Sequence, residues 1–388
     1  MPEEETTTAT ESNNENVTVN NKGPRKKLKE RIKDFFANPK KRLVFLIVLG
    51  LIIISLFYLG IRFLTKDNIT PTENTNTTEE TNDLIYQAPL DGIMTTKESS
   101  ARHPLAVVVE NHPDARPQAG LDKASIIYEA IAEGGITRFM AIFGTFEAEK
   151  VGPIRSARTY FVDWARGYDA YLAHVGGNID ALDQIQKEKV LDLDQFSNPS
   201  PYWRERTKNL ASEHTMFTST VKLRKTASDK KFSTANNYTV YKFNEDIDDS
   251  QKTALPQSQK ITINFSTNQY KAVFDYDRTK NSYKRSLADK AHVDQITKTQ
   301  INPTNIIVMT VKRKATITRI NEAGYEMTTI GSGAAKIIYN GTMIEATWKK
   351  NSKTDREIFY DSAGSEIKFN RGQFWIAVVP PESTVTIE

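Results

Sequence analysis

Cysteine is absent from all 388 residues. That excludes disulfides, a thiolate nucleophile, Cys-ligated zinc or iron-sulfur centres, and lipid attachment through a cysteine thiol. Net charge is scarce as well, at +4, and residues 1–42 carry ten basic against seven acidic side chains, so the remaining chain is close to neutral. A nucleic-acid-binding domain needs a concentrated basic face to displace phosphate counterions, so no nucleic-acid partner is expected. Catalytic signatures are equally sparse. No H-E-x-x-H pair and no G-x-S-x-G elbow occurs, and Gly331-Ser332-Gly333 reads as a turn between strands. Glu110 with His112, and His292 with Asp294, place ligand types two apart but complete no triad, so neither a metal nor a cofactor is expected.

Long apolar runs are also rare, and the one present organises the chain. Residues 43–61 are nineteen residues without a charge, and about 20 apolar residues at 1.5 Å rise cross a bilayer core. Lysines and arginines crowd residues 22–42 just before this run, which orients the N-terminus to the cytoplasm. We therefore expect a polar, polybasic cytoplasmic tail over 1–42 and a transmembrane helix over 43–63. A flexible Thr/Asn/Glu stalk over 64–83 and extracytoplasmic domains beyond it complete the expectation. Membrane lipid, met through the helix, is one expected partner.

Folded patterning begins near Leu84, and the chain has ample aromatic material for a core, with 18 Phe, 15 Tyr and 4 Trp. Residues 105–109, 126–131, 139–146 and 170–175 read as strands. Residues 156–168 and 178–187 have helical spacing, with Ser156 and Asn178 as N-cap candidates. This mixture predicts an α/β domain over 84–250. A polar break containing Pro256 follows, and from 256 to 388 nearly every segment reads as strand. The second, smaller domain is thus expected to be mostly antiparallel β. Asn340-Gly341 between two apolar runs predicts a two-residue type I′ hairpin.

Arg155 and Arg158 crowd the start of the first predicted helix, where the macrodipole disfavours cations unless an anion or a carboxylate answers them. Arg138 opens an otherwise apolar strand. Together the three form a candidate anion site, with Asn111, Gly176 and Gly177 as further ligand-binding candidates at predicted strand ends. Glu110, Glu133 and His174 are the acid, base or ion-pair candidates. Buried ion pairing of the arginines with carboxylates is the competing structural reading. Tyr283, Arg285 and Trp348 offer either core packing or a surface on which sugars stack.

The chain from about residue 84 onward resembles the YerB-like lipoproteins of bacteria, a family regarded as a domain of unknown function. The resemblance is carried by residues 133–138, 152–158 and 174–177. Further along, it is carried by Tyr276-Asp277, Tyr283 with Arg285, and residues 331–333 followed by Trp348. It implies a two-part extracytoplasmic protein and supplies no activity. Two departures stand out. The lipobox cysteine is missing, and Glu213-His214-Thr215 lacks the Pro and Asn that flank this histidine in the family. Two functions remain open at this point. One is an envelope binding module for an anionic ligand, a cell-wall glycan or a partner protein. The other is a cell-wall hydrolase using Glu110 or Glu133 as acid or base, with the arginines stabilising charge.

Overall fold

A computed structural model describes residues 86–206 and 210–388, with isolated helical positions between 37 and 55. Most of the predicted tail, the stalk and most of the predicted transmembrane segment lie outside the described residues. Among the described residues, no helix is long and apolar enough to cross a membrane.

The unit Glu80–Glu388 is built on one mixed sheet of nine strands. Their spatial order is Ile358–Tyr360, Thr342–Lys350, Gly331–Tyr339, Asn305–Thr310, Phe374–Val379, Ile126–Ile131, Thr137–Phe143, Leu105–Glu110 and Tyr171–Ala173. At the centre, Phe374–Val379 runs parallel to Ile126–Ile131 on one side and to Asn305–Thr310 on the other. Strands from both predicted domains therefore share one hydrogen-bonded sheet. A second sheet of five antiparallel strands is built from Lys260–Asn264, Lys271–Asp277, Ser282–Leu287, Lys290–Ala291 and Val385–Ile387. The C-terminal part is strand-rich as expected, although its strand Phe374–Val379 pairs only in parallel.

Alternation along the central strands explains this layering. Val107, Val109, Ile127, Phe139 and Trp375 face a core that includes Ile261, Ile263, Ala272 and Phe274 of the five-stranded sheet. Their neighbours Ala106, Val108, Tyr128, Met140 and Ile376 face the opposite core, against Tyr160, Phe161 and Trp164 of the helix Thr159–Gly167. With both faces covered, Leu105–Glu110, Ile126–Ile131 and Thr137–Phe143 are buried along their whole length. Such strands read as continuous apolar runs in the sequence.

Local signals hold with small shifts. Asn340 and Gly341 take φ of 55° and 66°, as a type I′ turn requires, between Gly331–Tyr339 and Thr342–Lys350. Asn178 caps Ile179–Lys187 by accepting from the Ala181 N–H at 3.1 Å. The first helix starts three residues late. Its N-cap is Arg158, which makes no side-chain cap bond, and Ser156 lies in the extended segment before it.

Candidate functional site

Leu105–Glu110 and Tyr171–Ala173 are parallel neighbours, as the strand-end reasoning supposed. The crevice beyond their carboxyl ends is nevertheless filled by the chain itself. Glu110 N–H donates to Pro153 O at 2.8 Å, Arg155 N–H to Val108 O at 2.9 Å, and Val175 N–H to Arg155 O at 3.0 Å. The segment between Gly152 and Arg158 is thus threaded between the two strand ends, and it separates Glu110 from His174.

On the far side, His174 is fully buried between two acceptors. Its Nε2 lies 2.9 Å from Asp192 Oδ1 and its Nδ1 lies 2.7 Å from Gly176 O. Burial alone would lower its pKa, but the Asp192 hydrogen bond and the charges of Asp192 and Asp194 outweigh this and raise it above the usual histidine value. The candidate glycines serve the same packing. Gly176 donates to Asp194 Oδ1 at 2.7 Å, and a Cβ at Gly177 would meet Leu182 at 3.2 Å.

Each of the three arginines faces a carboxylate. Glu133 is shared: its Oε2 accepts from Arg138 at 3.1 Å, and its Oε1 accepts from Arg158 Nε. Burial works to raise the Glu133 carboxyl, yet the Arg158 hydrogen bond and both guanidinium charges hold it below the usual glutamate range. Burial and the adjacent Arg158 charge bring the Arg138 guanidinium down to about 10. Arg138 and Arg158 are both buried, while Glu133 borders a cavity of about 370 Å³ that Tyr325, Ala315 and Ile317 also line. The Glu133-Gly134-Gly135 connection is a 3-10 turn inside a five-residue link, and both glycines have positive φ.

Arg155 differs. Its Nε lies 2.9 Å from Glu110 Oε1 without hydrogen-bond alignment, and its Nη2 lies 3.8 Å from Glu213 Oε1. Its side chain is 25% exposed, and that of Glu213 is 55% exposed. Glu110 itself is buried and binds a second group, because His214 Nδ1 donates to Glu110 Oε2 at 2.7 Å. His214 stacks on His112 with centroids 4.7 Å apart and planes within 10°. The sequence offered His214 only as a departure from the family pattern, because its neighbours lack the expected Pro and Asn, and nothing local signals that residues 110, 112 and 214 meet.

Asn111 points the other way, into a buried polar network. It donates to Thr137 Oγ1 at 2.7 Å and accepts from Arg116 and Gln118, each at 3.0 Å. Thr137 donates to Glu129, which also accepts from Arg285 at 2.8 Å and Trp375 at 3.0 Å. Arg285 and Gln118 hold His292 between them. Burial and the charges of Arg285 and Arg116 keep His292 well below the usual histidine range. Arg285, Tyr283 and Trp348 are therefore core residues and present no stacking surface. Trp348 donates to Thr310 O, and Tyr283 accepts from Gly341 N–H.

The comparisons agree with this architecture. Two family descriptions match, "Protein of unknown function (DUF3048) N-terminal domain" over residues 90–233 and the corresponding C-terminal domain over residues 261–376. A Bacillus subtilis protein named "Putative lipoprotein YerB" is 31% identical over 309 residues, which is 78% of this chain and 88% of that protein. The crystal structure of the YerB protein from Bacillus subtilis superposes with a TM-score of 0.67 at 29% identity, covering 78% of this chain and 99% of that one. With both family domains present in order and such a relative matched over most of its length, the chain belongs to the YerB-like DUF3048 family.

Proposed function

We propose that this chain is a membrane-anchored protein of the bacterial cell envelope whose outer unit binds an anionic ligand at Arg155. Two features support the location. The Bacillus subtilis relative is named a lipoprotein, and here a cysteine-free chain carries a nineteen-residue apolar run behind a polybasic flank. A helix over 43–63 then replaces a lipid as the anchor, with the N-terminus cytoplasmic and the folded unit outside.

The observation that carries the binding role is the state of Arg155. Arg138 and Arg158 are consumed by Glu133, whereas Arg155 keeps a partly exposed guanidinium whose surface partner among the described residues is the distant, exposed Glu213. An arriving phosphate or carboxylate displaces Glu213 and gains charge-assisted hydrogen bonds in its place. The hydrolase reading is weaker. Glu133 is held ionised between two arginines and is a poor general acid.

Titration calorimetry of the full-length chain with inorganic phosphate and then with a phosphate-rich wall polymer tests the site. A charge-assisted contact contributes roughly 1.5 to 3 kcal/mol, so Arg155→Ala should weaken binding by about ten- to a hundredfold. Glu213→Gln removes the competitor and should tighten it. Equal affinity of the wild type and both variants refutes the proposal.

A further inference from the structure

We infer that His112, Asp114 and His214 form a binding site for one divalent transition-metal ion of the zinc class, with Glu110 as the positioning residue behind His214. The inference stands independently of anion binding at Arg155.

Three segments converge here. His112 lies two residues past the strand Leu105–Glu110, and the turn Pro113–Ala115 brings Asp114 back beside it. His214 closes the turn Ser212–His214 more than a hundred residues later. One ligand atom from each of the three residues lies within 4.8 Å of the others. On a tetrahedral zinc with bonds of about 2.0 Å, neighbouring ligand atoms are roughly 3.3 Å apart. The closure falls on the movable members, since His112 is half-buried and Asp114 exposed while His214 is buried. The His112 Nδ1 contact with Asp114 N–H, long at 3.3 Å, is the bond that such closure gives up.

The decisive feature lies behind His214. Its Nδ1 donates to the Glu110 carboxylate at 2.7 Å, so in the neutral ring Nε2 carries the lone pair. A carboxylate that fixes the tautomer and orientation of an imidazole in this way is the arrangement that supports metal-ligating histidines. Glu110 is itself steadied by Arg155 at 2.9 Å. Two imidazoles and one carboxylate suit zinc and its neighbours in the first transition row, and three protein ligands leave a position for water or an anionic oxygen. The exposed Asp114 provides the entry side.

The other histidines supply an internal control. The chain has five; His174 and His292 have both ring nitrogens hydrogen-bonded, and His103, buried with Nε2 on Asp169 O, meets no pair of further ligand side chains, so among the described residues His112 and His214 are the histidines that share a three-ligand cluster. Saturable imidazole-dependent binding therefore belongs to His112 and His214.

The test is titration of the untagged full-length chain, stripped with chelator, with Zn²⁺ in a calorimeter and with Co²⁺ followed by visible absorption. We expect one equivalent and a ligand-field band, both lost in His112→Ala, whose half-buried position spares the fold, and in His214→Ala. His103→Gln should retain both. Glu110→Gln should weaken binding by about 10- to 100-fold, the usual effect of losing the support behind a ligand. No saturable binding in the wild type overturns the inference, as does an undiminished Co²⁺ band in His112→Ala. Phosphate titration of the metal-free protein reads the Arg155 proposal separately.

Discussion

Replacing Arg285 by methionine should be among the most damaging single changes available in this protein. Arg285 and Glu129 are each fully buried, 2.8 Å apart, and they join the two parts of the chain that the family descriptions divide. Arg285→Met leaves the Glu129 carboxylate in the core with the Thr137 hydroxyl and the Trp375 N–H as its remaining hydrogen bonds among the described residues. It also removes the group that faces His292 Nδ1. Breaking a buried pair from one side costs about 3 to 5 kcal/mol, a large share of the roughly 5 to 15 kcal/mol by which domains are stable. At the lower end of roughly 2 to 4 °C per kcal/mol for large domains, Tm falls by about 6 to 10 °C. Urea melts and calorimetry at neutral pH measure this. The double variant Glu129→Gln/Arg285→Met removes both charges and keeps an amide for Thr137 and Trp375, so it should recover part of the loss. A single-variant loss below about 1 kcal/mol, the scale of an exposed pair, would refute the reasoning. So would a double variant whose loss equals the sum of the two singles.

Two further outcomes follow from the anchor and from the histidines. A protease added to intact cells should cut between residues 68 and 82 and release the outer unit, whereas protection of that unit would reverse the proposed orientation. The raised pKa of His174 means its contribution is fully present below about pH 6.5 and is lost as pH rises through the folded-state value. His292 acts oppositely, because its depressed pKa makes its contribution fade as pH falls below about 6.5. Urea midpoints across pH 5 to 9 should therefore lose their alkaline decline in His174→Gln, and an unchanged slope would remove His174 from the account.

Much of the local structure was already written in the sequence. The runs at 105–109 and 126–131, the Asn178 cap and the Asn340-Gly341 hairpin depend on neighbours within a few residues, and these elements appear where the pattern places them, to within a residue. The absence of cysteine and the single long apolar run are likewise legible without reference to any fold, and the anchor proposed above rests on them. What the tertiary structure alone decided is which distant residues meet. Phe374–Val379 lies beside Ile126–Ile131 in one sheet, although the polar break at residues 246–259 reads as a boundary between separate domains. Periodicity records that a strand is buried on both faces but not which strand it pairs with. The arginines show the same limit. Helix electrostatics requires a negative partner near Arg158, yet only the folded chain shows that Glu133 takes both Arg138 and Arg158 while Glu110 takes Arg155. The meeting of Glu110, His112 and His214 is the extreme case. It arises from two turns a hundred residues apart that meet only in the folded chain, and no local pattern encodes that contact.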